Sequence, residues 1–208
     1  PADDATFLRR LWIDVTGMLP TPEHVRAFLA SENPGKRSAE IDRLLESSEF
    51  VDMWTQKWGD ILRLSREWLG EKAMWTFHRY LRHSIRDNVP WDEVVRQLVA
   101  GTGDSGREGP PNFFRLQNVF NQPELWPTTA AESTAQTFLG VRMQCARCHN
   151  HPLDRWTQAD YYSMVSFFSQ VRAKQSPEGY VVIHDRGAGE IDHPRLGKAM
   201  PSKPLADE

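Results

Sequence analysis

Apolar residues recur every three to four positions through the first half of the chain, and that spacing predicts helix after helix. Phe7, Leu8, Leu11, Trp12 and Val15 form one apolar face, with Asp3-Asp4 as cap and Gly17 as stop. Leu19-Pro20-Thr21-Pro22 reads as a rigid turn. Thr21 then caps a helix with Pro22 at its first position and Val25, Phe28 and Leu29 on its inner face. Ser38 opens a short helix carrying Ile41, Leu44 and Leu45. Ser48 caps a longer one with Phe50, Met53, Trp54, Trp58, Ile61 and Leu62. A helix over 71–88 and a shorter one after Pro90 bring the helical region to about Ala100.

The pattern breaks at 101–112, Gly-Thr-Gly-Asp-Ser-Gly-Arg-Glu-Gly-Pro-Pro-Asn, which reads as an exposed flexible loop. Phe113, Phe114, Leu116, Val119 and Phe120 return the chain to the core. Helices are predicted over 128–139, ending at Gly140, and over 158–171, capped by Thr157. The period then shifts to two. Tyr180-Val181-Val182-Ile183 reads as a strand, Arg186 to Gly189 as a turn, and Glu190-Ile191 as a short return strand. The predicted fold is mainly α: an irregular multi-helix domain with a small C-terminal β-hairpin. Residues 1–208 are read as one domain, with a helical subregion 1–100, a loop 101–112 and a second subregion 113–208. No internal repeat is visible.

The second subregion holds Cys145-Ala146-Arg147-Cys148-His149, followed by Asn150-His151-Pro152. These are the only two cysteines of 208 residues. Cys-x-x-Cys-His is the attachment pattern of c-type haem. One helical turn holds two thiols across an edge of the macrocycle as thioethers, and the next histidine serves as proximal iron ligand. Three other readings stay open. A thioredoxin-like dithiol needs a βαβ neighbourhood, which is not visible. A zinc site of Cys145, Cys148 and His149 or His151 needs a distant fourth ligand. A plain disulfide needs an oxidising compartment.

The residues around the motif sort by reach. His151 lies too close to His149 to occupy the opposite face of the same iron, so it is expected to hydrogen-bond a propionate or a carbonyl. Asp154 and Arg155 would orient His151 or a propionate, or form a local turn salt bridge. Candidate distal ligands are Met143, Met164, Met200, His184 and His193. His193 comes first and Met200 second, because both lie in the irregular tail. Met143 and Met164 sit in apolar patterns that read as core. A vacant sixth position would admit small molecules or peroxidase-like chemistry. His24, His78 and His83 read as surface or packing histidines. The carboxylate pairs Glu67/Glu71 and Asp87/Asp92 read as solvated helix faces rather than acid–base pairs.

Composition excludes more than it proposes. Formal net charge is −3, so no basic field argues for nucleic acid. No apolar run approaches the roughly 20 residues of a membrane span. The eight tryptophans read as core or groove walls, with sugar stacking as the other reading. The chain opens at Pro1 on the brink of a helix, which reads as a piece of a longer protein whose export signal lies upstream.

Three blocks carry a resemblance. They are Phe7-Leu8-Arg9-Arg10-Leu11-Trp12-Ile13-Asp14-Val15-Thr16-Gly17, then Arg43-Leu44-Leu45-Glu46-Ser47-Ser48-Glu49-Phe50 with Trp58 and Asp60-Ile61-Leu62-Arg63. The third, Phe138 to Gln158 with Asp160-Tyr161-Tyr162, contains the cysteine motif. Together they resemble the planctomycete cytochrome c-like domain family, a domain of unknown function. The tail His193-Pro194-Arg195 with Gly197-Lys198 and Pro204-Leu205 is similar too, so the resemblance spans essentially the whole chain. It implies a module of a large exported or periplasmic multidomain protein, with another cytochrome-like domain often before it. The resulting expectation is a haem c electron-transfer module whose partner is a redox protein or a neighbouring cytochrome domain. The alternative is a non-haem scaffolding domain, with zinc or a disulfide at the Cys/His cluster, in a glycan- or polymer-processing protein.

Overall fold

The computed structural model describes residues 2–117 and 125–205. Val119 and Phe120, expected to return the chain to the core, lie outside the described residues. The fold is mainly α, with ten α-helices among the described residues and short antiparallel strands toward the C-terminus. The chain packs as two compact units. One comprises residues 1–60 and 81–89, the other residues 61–80 and 90–208.

The first unit holds α1 (Asp4–Thr16), α2 (Pro22–Ala30), α3 (Lys36–Leu45) and α4 (Ser48–Ile61, to Asp60), with the end of α6 (Glu71–Arg86). Local chemistry sets its helix ends. The Thr6 amide donates to Asp3 Oδ1 at 2.7 Å, and the His24 amide to Thr21 Oγ1 at 3.3 Å. Gly17 ends α1 with φ at 70°. A Cβ there would also lie 2.6 Å from Met53 Sδ, near the end of a flexible side chain, so it is the backbone angle that calls for glycine. Two caps differ from expectation. α3 starts at Lys36, ahead of Ser38, and has no side-chain cap. The cap of α4 is Ser47 rather than Ser48: the Phe50 amide donates to Ser47 Oγ at 3.2 Å.

Glu40 knits three of these helices. Its buried carboxylate accepts from Trp12 Nε1 (2.9 Å), His24 Nε2 (2.8 Å) and Arg43 (3.0 and 2.8 Å). His24 is therefore a packing histidine with a carboxylate partner. Burial alone would raise the Glu40 pKa, but the bonds from Arg43, Trp12 and His24 outweigh it and hold the carboxyl below its usual range.

The second unit holds α5 (Arg66–Leu69), the start of α6, α7 (Trp91–Val99), α8 (Asn112–Leu116), α9 (Trp126–Phe138) and α10 (Gln158–Phe168). Strands β1 (Gly103–Asp104), β2 (Val171–Gln175) and β3 (Val181–Asp185) form an antiparallel sheet in the order β1-β3-β2. β4 (Ile191–Asp192) pairs with β5 (Ala199–Met200). Trp126, Tyr161, Phe77, Phe113 and Phe114 are the largest fully buried side chains of this unit. α9 and α10 pack on each other, and α10 also touches both short strands of the tail.

The expected exposed loop 101–112 is a folded corner. Ser105 and Asn112 are fully buried. Asn112 Nδ2 donates to the carbonyls of Ser105, Glu108 and Gly109 at 2.9–3.1 Å. The glycines serve close approach: Gly106 lies under the Tyr180 ring, and a Cβ on Gly109 would strike Tyr80. The expected hairpin also changes partners. β3 pairs with Val171–Gln175, whose residue types apart from Val171 are weak strand formers, and α10 ends at Phe168 rather than at Val171. The return segment Ile191–Asp192 pairs instead with Ala199–Met200.

Candidate functional site

The motif opens on one 3₁₀ turn, Gln144–Arg147, which is anchored by buried Met143 at its start and buried Ala146 within it. The Ala146 amide donates to the Met143 carbonyl at 2.8 Å, and those of Cys148 and His149 to the Cys145 carbonyl at 3.3 and 3.4 Å. In such a turn residues three apart eclipse each other, which stacks Cys145 and Cys148 on one side. Both are exposed free thiols.

α10 and the tail fasten the turn by its carbonyls. Gln158 Nε2 donates to the Arg147 carbonyl at 2.9 Å, and the Tyr162 hydroxyl to the same oxygen at 3.3 Å. The Gln158 amide donates to Asn150 Oδ1 at 3.1 Å. Arg195 Nη2 reaches the Cys148 carbonyl at 3.5 Å. A capping box opens α10: the Asp160 amide donates to Thr157 Oγ1, and the Thr157 amide to Asp160 Oδ2. The loop between is closed by the His151 amide donating to the Trp156 carbonyl at 2.8 Å.

Partners at Nδ1 set His149 apart from His151 and His193. His149 Nδ1 lies 2.7 Å from the Asn150 carbonyl oxygen, which only accepts. Nδ1 therefore carries the proton, and Nε2 keeps a free lone pair. His151 Nδ1 accepts from the Leu153 amide at 3.3 Å, which puts its proton on Nε2. His193 Nδ1 accepts from the amides of Arg195 and Leu196, both at 3.2 Å. In the neutral form of each ring, only His149 offers Nε2 as a ligand.

His193 does lie near the motif. Its ring packs 5.5 Å from that of Tyr162, and it is only 4 % exposed. Its Nδ1, however, serves the 193–198 turn. Met200, Met143 and Met164 are all buried. Met200 sits in β5, where its carbonyl accepts from Ser166 Oγ at 2.7 Å. His184 lies in β3 opposite Arg172, and its buried Nδ1 has no partner among the described residues. Asp154 accepts the Arg155 amide, a turn role, and Arg155 stacks over the Trp156 ring at 4.6 Å. Among the described residues no three His, Cys, Asp or Glu side chains converge on a point that would hold a metal ion. The carboxylates weighed as pairs bond elsewhere: Glu71 to Arg66, Asp87 to Arg86, Asp92 to Arg96.

Two openings lie in this unit, and the second reaches Gln144, next to the motif. One, of about 420 Å³, is lined by Arg155, Trp156, Asp160 and Lys203. The other, of about 290 Å³, includes Arg63, Glu132, Gln136 and Gln144, none of which stood out in the sequence as a site residue. Glu132 is tied inward by the hydroxyl of buried Tyr161, which donates at 2.6 Å. Burial first, and then this bond, raises the Tyr161 phenol well above its usual pKa. The helical spacing of Glu132 and Gln136 is the one signal that placed them on a common face.

Comparison with curated proteins and with solved structures gives no match. The segment from α1 into β2, which builds the cysteine turn and the helix that braces it, does match a family model. That match ends at residue 173, short of the tail 193–205 that was expected to share the likeness. Over residues 1–173 the chain belongs to the PSCyt2 family, described as a protein of unknown function (DUF1549).

Proposed function

We propose that this chain is a cytochrome c-like module that carries haem covalently on Cys145 and Cys148, with His149 Nε2 as axial ligand. The observation that carries the reading is the bond between His149 Nδ1 and the Asn150 carbonyl, which makes Nε2 the ligating nitrogen of the neutral ring. The donor set fits the group: two free thiols on one side of a single turn, followed at once by an imidazole in the ligating tautomer. Bound there, haem would supply reversible one-electron chemistry.

The protein's own residues do the rest. The Asn150 carbonyl orients the imidazole and increases its basicity. Gln158, Tyr162 and Arg195 hold the turn's carbonyls, so the thiols are presented from a fixed backbone. Arg155 and Lys203, which line one opening together, would offer cations to carboxylates of the group. Leu153, 93 % exposed at the loop tip, adds apolar surface beside the turn. An exposed turn suits electron exchange with a partner protein or a neighbouring cytochrome domain. Thioether formation belongs outside the reducing cytoplasm, so this reading places the protein in an exported or periplasmic setting.

Intact-mass analysis after export in a host with cytochrome c maturation tests the proposal. The expected result is one added haem that survives denaturation, together with a Soret band. A bare-chain mass with no Soret absorption overturns it.

A further inference from the structure

Beside the turn, on the side of Gln144, lies a polar groove walled by one face of α9: Thr129, Glu132, Ser133 and Gln136, at helical spacing. Arg63 and Gln144 close it from other parts of the same unit. Its two charged side chains do not pair with each other. Arg63 Nη2 donates to Oε1 of the buried Gln117 at 3.0 Å. Glu132 Oε1 accepts from the buried Tyr161 hydroxyl at 2.6 Å. Each is thus held by a buried polar partner, which leaves the guanidinium's other donors and the second carboxylate oxygen for a guest.

Arg63 stands where the backbone favours glycine, with φ at 61°. A long cationic side chain is kept there at a backbone cost. Gln144 Nε2 donates to Gln136 Oε1 at 3.1 Å, which frees the Gln136 amide donors and the Gln144 oxygen. The groove therefore offers a cation at one wall, a carboxylate at another, and hydroxyls and amides between them. A volume of about 290 Å³ is at the small end of ligand sites, which run to about 1,000 Å³.

We infer that this groove binds a small hydroxylated carboxylic acid of monosaccharide size. Its carboxylate pairs with Arg63, and its hydroxyls bond Glu132, Ser133 and Gln136. Because Gln144 directly precedes Cys145, the guest lies beside the cysteine turn. Binding here does not require haem.

The probe is D-glucuronate, titrated into the chain by calorimetry and by amide-detected NMR. D-glucose, which lacks the carboxylate, and cyclohexanecarboxylate, which lacks the hydroxyls, are the comparisons. The expected outcome is saturable glucuronate binding, at least about tenfold tighter than either comparison. The side-chain amide signals of Gln136 and Gln144 shift with it. Arg63→Gln and Glu132→Gln should each weaken binding by about tenfold or more. Absence of binding at about 10 mM glucuronate overturns the inference. So does equal binding of either comparison, or of Arg63→Gln. Should that variant misfold, the Gln136 and Gln144 signals of the unaltered chain decide: shifts confined to other residues overturn it. Titrating the haem-free chain keeps this outcome separate from that of the mass and Soret test.

Discussion

At the residue scale, the site turns on which ring nitrogen holds a proton. His149 and His151 are two positions apart, yet one donates through Nδ1 and the other accepts there. Replacing them should therefore have unequal effects. In haem-loaded protein, His149→Ala is expected to abolish the low-spin visible spectrum while the thioethers at Cys145 and Cys148 keep the haem attached. His151→Ala removes an acceptor for one exposed amide, so it should leave that spectrum nearly intact and cost no more than about 1 kcal/mol. Equal and severe spectral loss in both variants would refute the tautomer argument. The motif itself was readable because its chemistry is consecutive in sequence. Its braces were not: Gln158, Tyr162 and Arg195 meet it from 11 to 47 residues away. Arg63 and Glu132 were hidden in the same way, because a groove is assembled by folding rather than by spacing.

At the element scale, helix ends were legible wherever a cap is local. Asp3, Thr21 and Thr157 all cap as their spacing predicts. Strand pairing was not, because Val171-Arg172-Ala173-Lys174-Gln175 alternates too briefly, with a single β-branched residue, and joins β3 through its backbone. The 101–112 corner misled for a related reason. Glycine signals flexibility in a sequence, but here it makes room for tyrosine rings.

Glu40 shows what such distant ties contribute, since it joins α1, α2 and α3 through Trp12 and His24. Its carboxyl titrates below its usual pKa of 4.5 when folded. Its stabilisation is therefore complete at pH values above that figure and is lost as the pH falls through the lower folded value. Glu40→Gln should flatten the acid side of the stability–pH curve and lower stability at neutral pH by about 1–3 kcal/mol. Urea unfolding from pH 7 to pH 3 checks this, and parallel curves for the two proteins would refute it.

At the scale of the whole molecule, the family match and the fold do not end together. The match stops at Ala173, inside β2, while the sheet's central strand comes later in the chain. Trimming to the matched segment would leave β1 and the stub of β2 with no common neighbour. It would strip the Ser105 amide of its Val181 acceptor and uncover Gly106 beneath Tyr180. The Ser166 hydroxyl on α10 would lose the Met200 carbonyl. A bare sheet edge invites pairing with other chains. The fragment 1–173 is thus expected to elute as aggregate in size-exclusion chromatography, where 1–205 elutes as a folded species. A fragment that stays monodisperse and unfolds as cooperatively as 1–205 would refute this. The boundary recognised by sequence likeness and the boundary at which the polypeptide can stand alone are then two different lines. Anyone trimming this chain should keep every strand through β5.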